Sequence, residues 1–409
     1  MTAPHPVAAV GRARTRSATY KPVARVFTLV AAALAVATLV GLILLWPGQV
    51  ESQVAQGIAV DSEKAKVDRV EEGFCAGFET QQCQLVKARI ESGPDQGKRI
   101  ELQLGAGGLD PNVDPGDQVR VAKAPKPPKG APAVAGTGYT LYDFERRGPM
   151  LILALLFVAV VLVLARWRGA LSLAGLAISL VLVLIFVVPA ILDGKSPLLV
   201  AVVGSLAVAF TTIPLAHGWG PKSLAALLGT AASLVLTALL AVLFTDLTHL
   251  TGLSSEEAIF LQIGNADVSL QGLLLAGMVI GALGVLDDVT ISQASTVLAL
   301  RRANPGLRLR PLCGLALDVG RDHVSATVNT LVLAYVGAAL PILLLFSAAD
   351  LGVSEAVNLE VVAKEIVATL VGSIGLIAAV PITTGLAGLL ALSVAPDQIE
   401  DGDGHRRAH

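Results

Sequence analysis

The chain has 409 residues, of which 54% are hydrophobic, 15% charged and only 4% aromatic, with a formal net charge of −2 and a mean hydropathy of +0.70. A soluble globular domain carries about 25% charged residues, so this is the composition of a chain whose main solvent is lipid. Near-neutral charge and few aromatic rings exclude nucleic acid as an expected partner and name the lipid bilayer as the first one.

Residues 1–25 form a basic N-terminal segment carrying Arg12, Arg14, Arg16, Lys21 and Arg25. The apolar stretch 26–46 follows. Its length exceeds the usual 7–15-residue core of a secretory signal, and no Ala-x-Ala site follows Trp46-Pro47, which favours an uncleaved anchor over a signal peptide.

Residues 47–146 are polar and read as a separate extracytoplasmic module. Alternation in Ile100-Glu-Leu-Gln-Leu104 and Val119-Arg-Val121 marks strands, with weaker signals at 67–70 and 85–90. Gly93-Pro94, Gly107-Gly108 and Pro115-Gly116-Asp117 punctuate them as turns. About five short strands at this spacing suggest a small β-barrel or OB-like module, either a structural cap or the binding part for a protein partner. Cys75 and Cys83 both lie here, on the oxidising side; a Cys75–Cys83 disulfide is favoured over two thiols. Residues 122–132 hold four prolines and three lysines and read as a semi-rigid linker. Tyr139–Phe144 is either a last strand or an interfacial anchor.

A spanning helix needs about 20 mostly apolar residues. Beyond the anchor, seven more stretches in 147–394 qualify, near 149–165, 171–192, 198–215, 224–244, 270–286 or further, 328–346 and 366–394, giving about eight transmembrane helices in all. Lys and Arg crowd alternate connections: Arg166 and Arg168, Lys222, the Arg301–Arg321 stretch, and Arg406 and Arg407 in the tail 395–409. The intervening connections carry Asp193, Asp246, Glu256, Glu257, Asp267, Asp350, Glu355 and Glu360. The positive-inside rule then places both termini in the cytoplasm of a multi-pass plasma-membrane protein. Arg146 and Arg147 fall on the outer side against this trend, where a folded upstream module weakens the rule.

The sixth span carries the chemistry. Asp287 and Asp288 follow the apolar run 272–286, and a carboxylate inside a bilayer costs roughly 2.5–3.5 kcal/mol unless a cation, base or water meets it. Gly277, Gly281, Gly284, Asp288, Ser292 and Ser295 recur at spacings of three and four, so they share one helical face. Its upper half is a glycine groove suited to close helix packing. A second stripe, Asp318, Asp322, Ser325 and Asn329, repeats the spacing at the start of the seventh span. If the two stripes face each other, they form an oxygen-lined site for Na⁺, Mg²⁺ or a proton. The alternatives are a solvated lead-in with a local Asp318–Arg321 pair, and, for the Asp pair, a helix N-cap or a buried polar clamp. Cys/His zinc spacing is absent, and Cys313 reads as a plain small residue. Pro214, beside Thr211 and Thr212, and Pro381, before Thr383 and Thr384, mark kinks or broken helices.

The string Leu286-Asp-Asp-Val-Thr-Ile-Ser-Gln293, together with His217-Gly-Trp-Gly-Pro-Lys222, resembles the pattern of the YibE/F-like family of multi-pass membrane proteins. An anchor, a small outer β module and a polytopic bundle are similar to that family's layout. The resemblance implies a membrane protein of transport or export type without an assigned substrate and supplies no catalytic residues. The function expected is an ion-coupled transporter, permease or export component acting on a small molecule or ion. The alternatives are a Mg²⁺-dependent enzyme on a lipid phosphate and a non-catalytic assembly factor. Enzymatic activity is the less favoured reading.

Overall fold

The computed structural model describes residues 21–48, 61–74, 82–105, 111–123, 138–254, 256–264 and 268–394. Arg12, Arg14 and Arg16, Cys75, the Gly107-Gly108 turn, linker residues 124–132, Asn265, Asp267, Arg406 and Arg407 lie outside the described residues. The chain divides into two compact units, Gln53–Leu164 and Met1–Ser52 with Ala165–His409.

In the first unit five strands, β1 (Ser62–Phe74), β2 (Gln82–Ile90), β3 (Arg99–Leu104), β4 (Gln118–Lys123) and β5 (Tyr139–Phe144), form one antiparallel sheet in the order β3-β2-β1-β4-β5. The sheet curls until β3 approaches β5, which is the strand arrangement of an OB-like barrel. A bulge between Val67 and Arg69 adds to the curl. The alternation expected in β3 and β4 is observed: Ile100, Leu102, Leu104, Val119 and Val121 all point into a core shared with Val67, Val86 and Ile90. Tyr139–Phe144, open between strand and anchor from sequence, is a strand paired with β4. At the barrel rim, Asp95 accepts from the Tyr139 hydroxyl at 2.5 Å and pairs with Lys123 Nζ at 2.7 Å. Cys83 is disulfide-bonded.

The second unit is helical. Among the described residues of the chain, seven helices are long and apolar enough to cross a membrane. They comprise α1 (Lys21–Leu44), the run α2 (Arg147–Leu182) that continues through a π turn (Val183–Val187) into α3 (Val188–Leu192), α4 (Pro197–His217), α5 (Pro221–Leu247), α7 (Leu270–Ala303), α8 (Leu309–Ala348) and α10 (Glu360–Ser393). The short helices α6 (Glu256–Gly264) and α9 (Val353–Asn358) sit in connections. The eight expected spans and the seven helices differ at one place. Spans two and three fall in the 46-residue run Arg147–Leu192, in which two helices join across a kink. Its backbone is non-helical at Arg166, with φ of 50° and ψ of −129°.

α7 is the central helix, packed against α4, α5, α8 and α10. Glycine sets how close α5 and α10 come. A Cβ on Gly229 would fall on the Thr383 hydroxyl, and one on Gly375 would fall on the Thr237 hydroxyl. These two contacts make α5 and α10 antiparallel and interlocked. α4 and α7 run parallel: Pro197 lies against Gly272, and Thr212 lies beside Asp287. α7 and α8 are antiparallel: Gln293 Nε2 donates to the Ala316 carbonyl at 2.8 Å, and the Tyr335 hydroxyl stands 3.5 Å from where a Cβ on Gly281 would be. Pro214 and Pro381 are accommodated within continuous helices. Thr211 and Thr212 donate back within α4 to Ala207 O and Val208 O, each at 2.9 Å, and not to the Phe210 carbonyl that Pro214 leaves without its helical donor.

Candidate functional site

α7 opens on Ser269, whose hydroxyl caps the helix by accepting from Gly272 N at 3.0 Å. The aspartate pair lies well inside the helix, so the N-cap alternative does not apply. Asp287 sits next to Leu286 and Val289, both fully buried, and is itself half-buried. Its Oδ1 is shielded from solvent and has no hydrogen-bond partner among the described residues. The Thr212 hydroxyl of α4 lies beside this carboxylate. Thr212 stands five residues before the end of α4 at His217, so Asp287 lies about 8 Å inside that helix end.

One turn further, Thr290 donates to the Asp287 carbonyl at 3.1 Å and shares a 2.7 Å hydrogen bond with Thr230 of α5. Gln293 follows, only 4% exposed, with its amide nitrogen donating to Ala316 O of α8 and at 2.7 Å to Thr384 Oγ1 of α10. Asp287, Thr290 and Gln293 therefore line the inward face of α7, and a hydroxyl-amide ladder ties four helices together beneath the carboxylate.

Asp288 points outward. The charges of Lys222, Arg168 and Asp288 converge on the His217 ring at the end of α4. The connection holding His217 is fixed by Gly218, whose φ of 76° suits glycine, and by a 2.5 Å hydrogen bond from Ser223 to the Gly218 carbonyl. The two aspartates thus have different surroundings, one apolar with hydroxyls, the other exposed and electrostatically linked to His217.

The other expected site residues are placed differently. Gly277, Gly281, Gly284 and Ser292 are exposed on the same outward face of α7 as Asp288. Among the described residues nothing lies within 4 Å of a Cβ at Gly277 or Gly284, and only the Tyr335 hydroxyl reaches one at Gly281, so the glycine groove is largely open rather than closely packed. The close packing falls to Gly229 and Gly375, a role the sequence reading did not assign. Asp318, Asp322 and Asn329 are exposed on α8. The face of α8 turned toward α7 and α10 is the line Ala316, Gly320, Val324, Val328, Leu331 and Tyr335, and residues two further along a helix lie about 200° away. The stripe is therefore on the opposite side of α8 and does not converge on Asp287 and Asp288. The physical reason is size: Gly320 lets Gln293 and Val380 approach the α8 backbone, which fixes the inward face. Asp318 instead pairs locally with Arg321 at 2.7 Å, as in the solvated alternative. Among the described residues no three His, Cys, Asp or Glu side chains are grouped to hold a metal ion.

Thr212, Thr230, Thr290, His217 and Gln293 complete the site and were not picked out from sequence as its members. The signal available was the Thr/Ser content of otherwise apolar helices, which marks buried hydrogen bonds only once the inward faces are known. No curated protein and no solved structure matches this chain. The family model for YibE/F-like proteins matches residues 153–393, more than half of the chain and all of the helices that build this site, and the chain belongs to that family.

Proposed function

We propose that the protein is an ion-coupled transporter or export component in which Asp287 is the proton- or cation-handling group and Asp288 its outward-facing neighbour. The observation that supports this reading most is the shielded, partnerless Oδ1 of Asp287 inside an apolar bundle. A carboxylate so placed is stabilised by a proton or a bound cation, and its proximity to the His217 end of α4 gives that species a short route to one side of the membrane. The basic segments Arg168, Lys222 and Arg301–Arg321 support a reading in which that side is the cytoplasm of a plasma-membrane protein with both termini inside. The outer OB-like module serves as cap or partner-binding part. A Mg²⁺-dependent enzyme would need both carboxylates on one metal, and their differing surroundings favour the transport reading.

The test is flux through the full chain in proteoliposomes carrying trapped pH-, Na⁺- or Mg²⁺-sensitive dyes, under an imposed K⁺ diffusion potential. Wild type should dissipate a gradient of one of these ions. Asp287→Asn should reduce the flux at least tenfold, and Asp288→Asn by less. Equal fluxes in wild type, both single variants and the double variant would remove the proposal.

A further inference from the structure

The outward face of α8 runs the length of a 40-residue helix and is left uncovered by the described residues. Asp318, Asp322, Ser325 and Asn329, then Val332, Val336 and Leu340, recur at spacings of three and four, and all are exposed. The apolar window of this helix has none of its residues buried, against half or more in α4, α5, α7 and α10. Height matters here. Asp322, Ser325 and Asn329 lie between the two points where α8 meets α7, at Ala316 beside Gln293 and Tyr335 beside Gly281. They are therefore level with the aspartate pair, inside the span, yet turned away from the bundle. Amide, hydroxyl and carboxylate groups facing hydrocarbon at that height require polar partners.

Among the described residues the chain's other exposed spans offer little beyond the exposed Ser172 of the run Arg147–Leu192. Residues 150–164 carry no polar side chain, and between Val26 and Leu44 only Thr28 and Thr38 are polar, each donating to a carbonyl of its own helix. A second α8 offers such partners. It brings the same three-four repeat, which packs knobs into holes against its like, an Asn at mid-seam that can meet its equivalent, and an Arg321 flanking the stripe to answer the partner's acidic side chains. We infer that the protein is a homodimer, or a higher symmetric assembly, joined along the outward face of α8.

Single cysteines placed in a Cys313→Ser background of the full chain, in native membranes under mild oxidation, test this. Val336→Cys and Leu340→Cys should give a covalent species of twice the chain mass. Leu239→Cys, exposed on α5, should not. Asn329→Ala added to Val336→Cys should lower the yield several-fold. Absence of the doubled species at both seam positions, equal yields at Leu239, or an adduct of a different mass showing another protein on this face would overturn the inference. So would a single copy per nanodisc by mass measurement of the unmodified chain.

Discussion

Asp287 and Gln293 stand on the same helix six residues apart, in opposite surroundings. Gln293 has its amide nitrogen satisfied twice by neighbouring helices and acts as a fixed strut. Asp287 keeps one oxygen shielded and unmatched among the described residues, the condition that the proposed proton- or cation-handling role requires. Outside the helical unit a third residue shows how hydrogen bonding governs an acidic group. Asp95 on the barrel rim is held below the usual carboxylate range, first by the hydrogen bonds from Lys123 and Tyr139, while burial and the same carboxylate push the Tyr139 hydroxyl up to about 12. The sign follows from linkage. A lowered folded-state pKa at Asp95 contributes stability above the ordinary Asp value of 3.8 that is lost as pH falls through and below it. The raised Tyr139 value contributes stability that is present below 10 and lost as pH climbs toward about 12. Asp95→Asn should lower the urea midpoint of the module in the full chain at pH 7 and lower it by less at pH 3, read by near-ultraviolet circular dichroism. An equal loss at both pH values would show that the Asp95 charge plays no part.

At the scale of the element, sequence periodicity identified faces but not their directions. The alternation in β3 and β4 needed no further information, because a strand has two sides and only one was apolar. The stripe Asp318, Asp322, Ser325 and Asn329 was equally legible as a set, yet spacing alone does not say whether a polar face turns inward. Gly320 decides that, through contacts 27 and 60 residues away in sequence with Gln293 and Val380. The glycine groove was misplaced for the same reason: Gly277-x-x-x-Gly281 has the familiar spacing, whereas Gly229 and Gly375 are single glycines in different helices and form a pair only in three dimensions. These two glycines carry a direct consequence. Each faces a threonine hydroxyl on the other helix, so a methyl group there must displace a buried side chain or separate the helices. Gly229→Ala and Gly375→Ala should each destabilise the bundle by roughly 1–3 kcal/mol through overpacking. Gly277→Ala, with open space before it, should be near neutral unless a second copy fills that space. Thermal unfolding in one detergent at one protein concentration ranks the three; a Gly277→Ala loss as large as the other two would place the tight interface elsewhere.

At the scale of the whole molecule, the helical unit separates charge by end. The α4–α5 and α7–α8 connections, with Lys222, Arg301, Arg302 and Arg308, lie at one end of the helices; Asp193, Asp246, Asp350 and Glu355 lie at the other. That second end is also clasped. Both carboxylate oxygens of Glu360, at the start of α10, accept from the segment after α5: Thr251 N at 3.0 Å, Gly252 N at 2.7 Å and Thr251 Oγ1 at 2.7 Å. A clasp of this kind fixes which helix ends share a membrane face, independently of any charge rule. Trp219 in the first set of connections is 80% exposed, and Val353 near the clasped end is equally so. In a Cys313→Ser background, Trp219→Cys should react with a membrane-impermeant maleimide only after the cells are permeabilised, while Val353→Cys should react in intact cells. Reversal of both would invert the orientation and keep the helix hairpins. Labelling of both from one side would break the pairing of ends that the Glu360 clasp and the α7–α8 contacts require, and with it the placement of Asp287 a turn and a half inside the His217 end of α4.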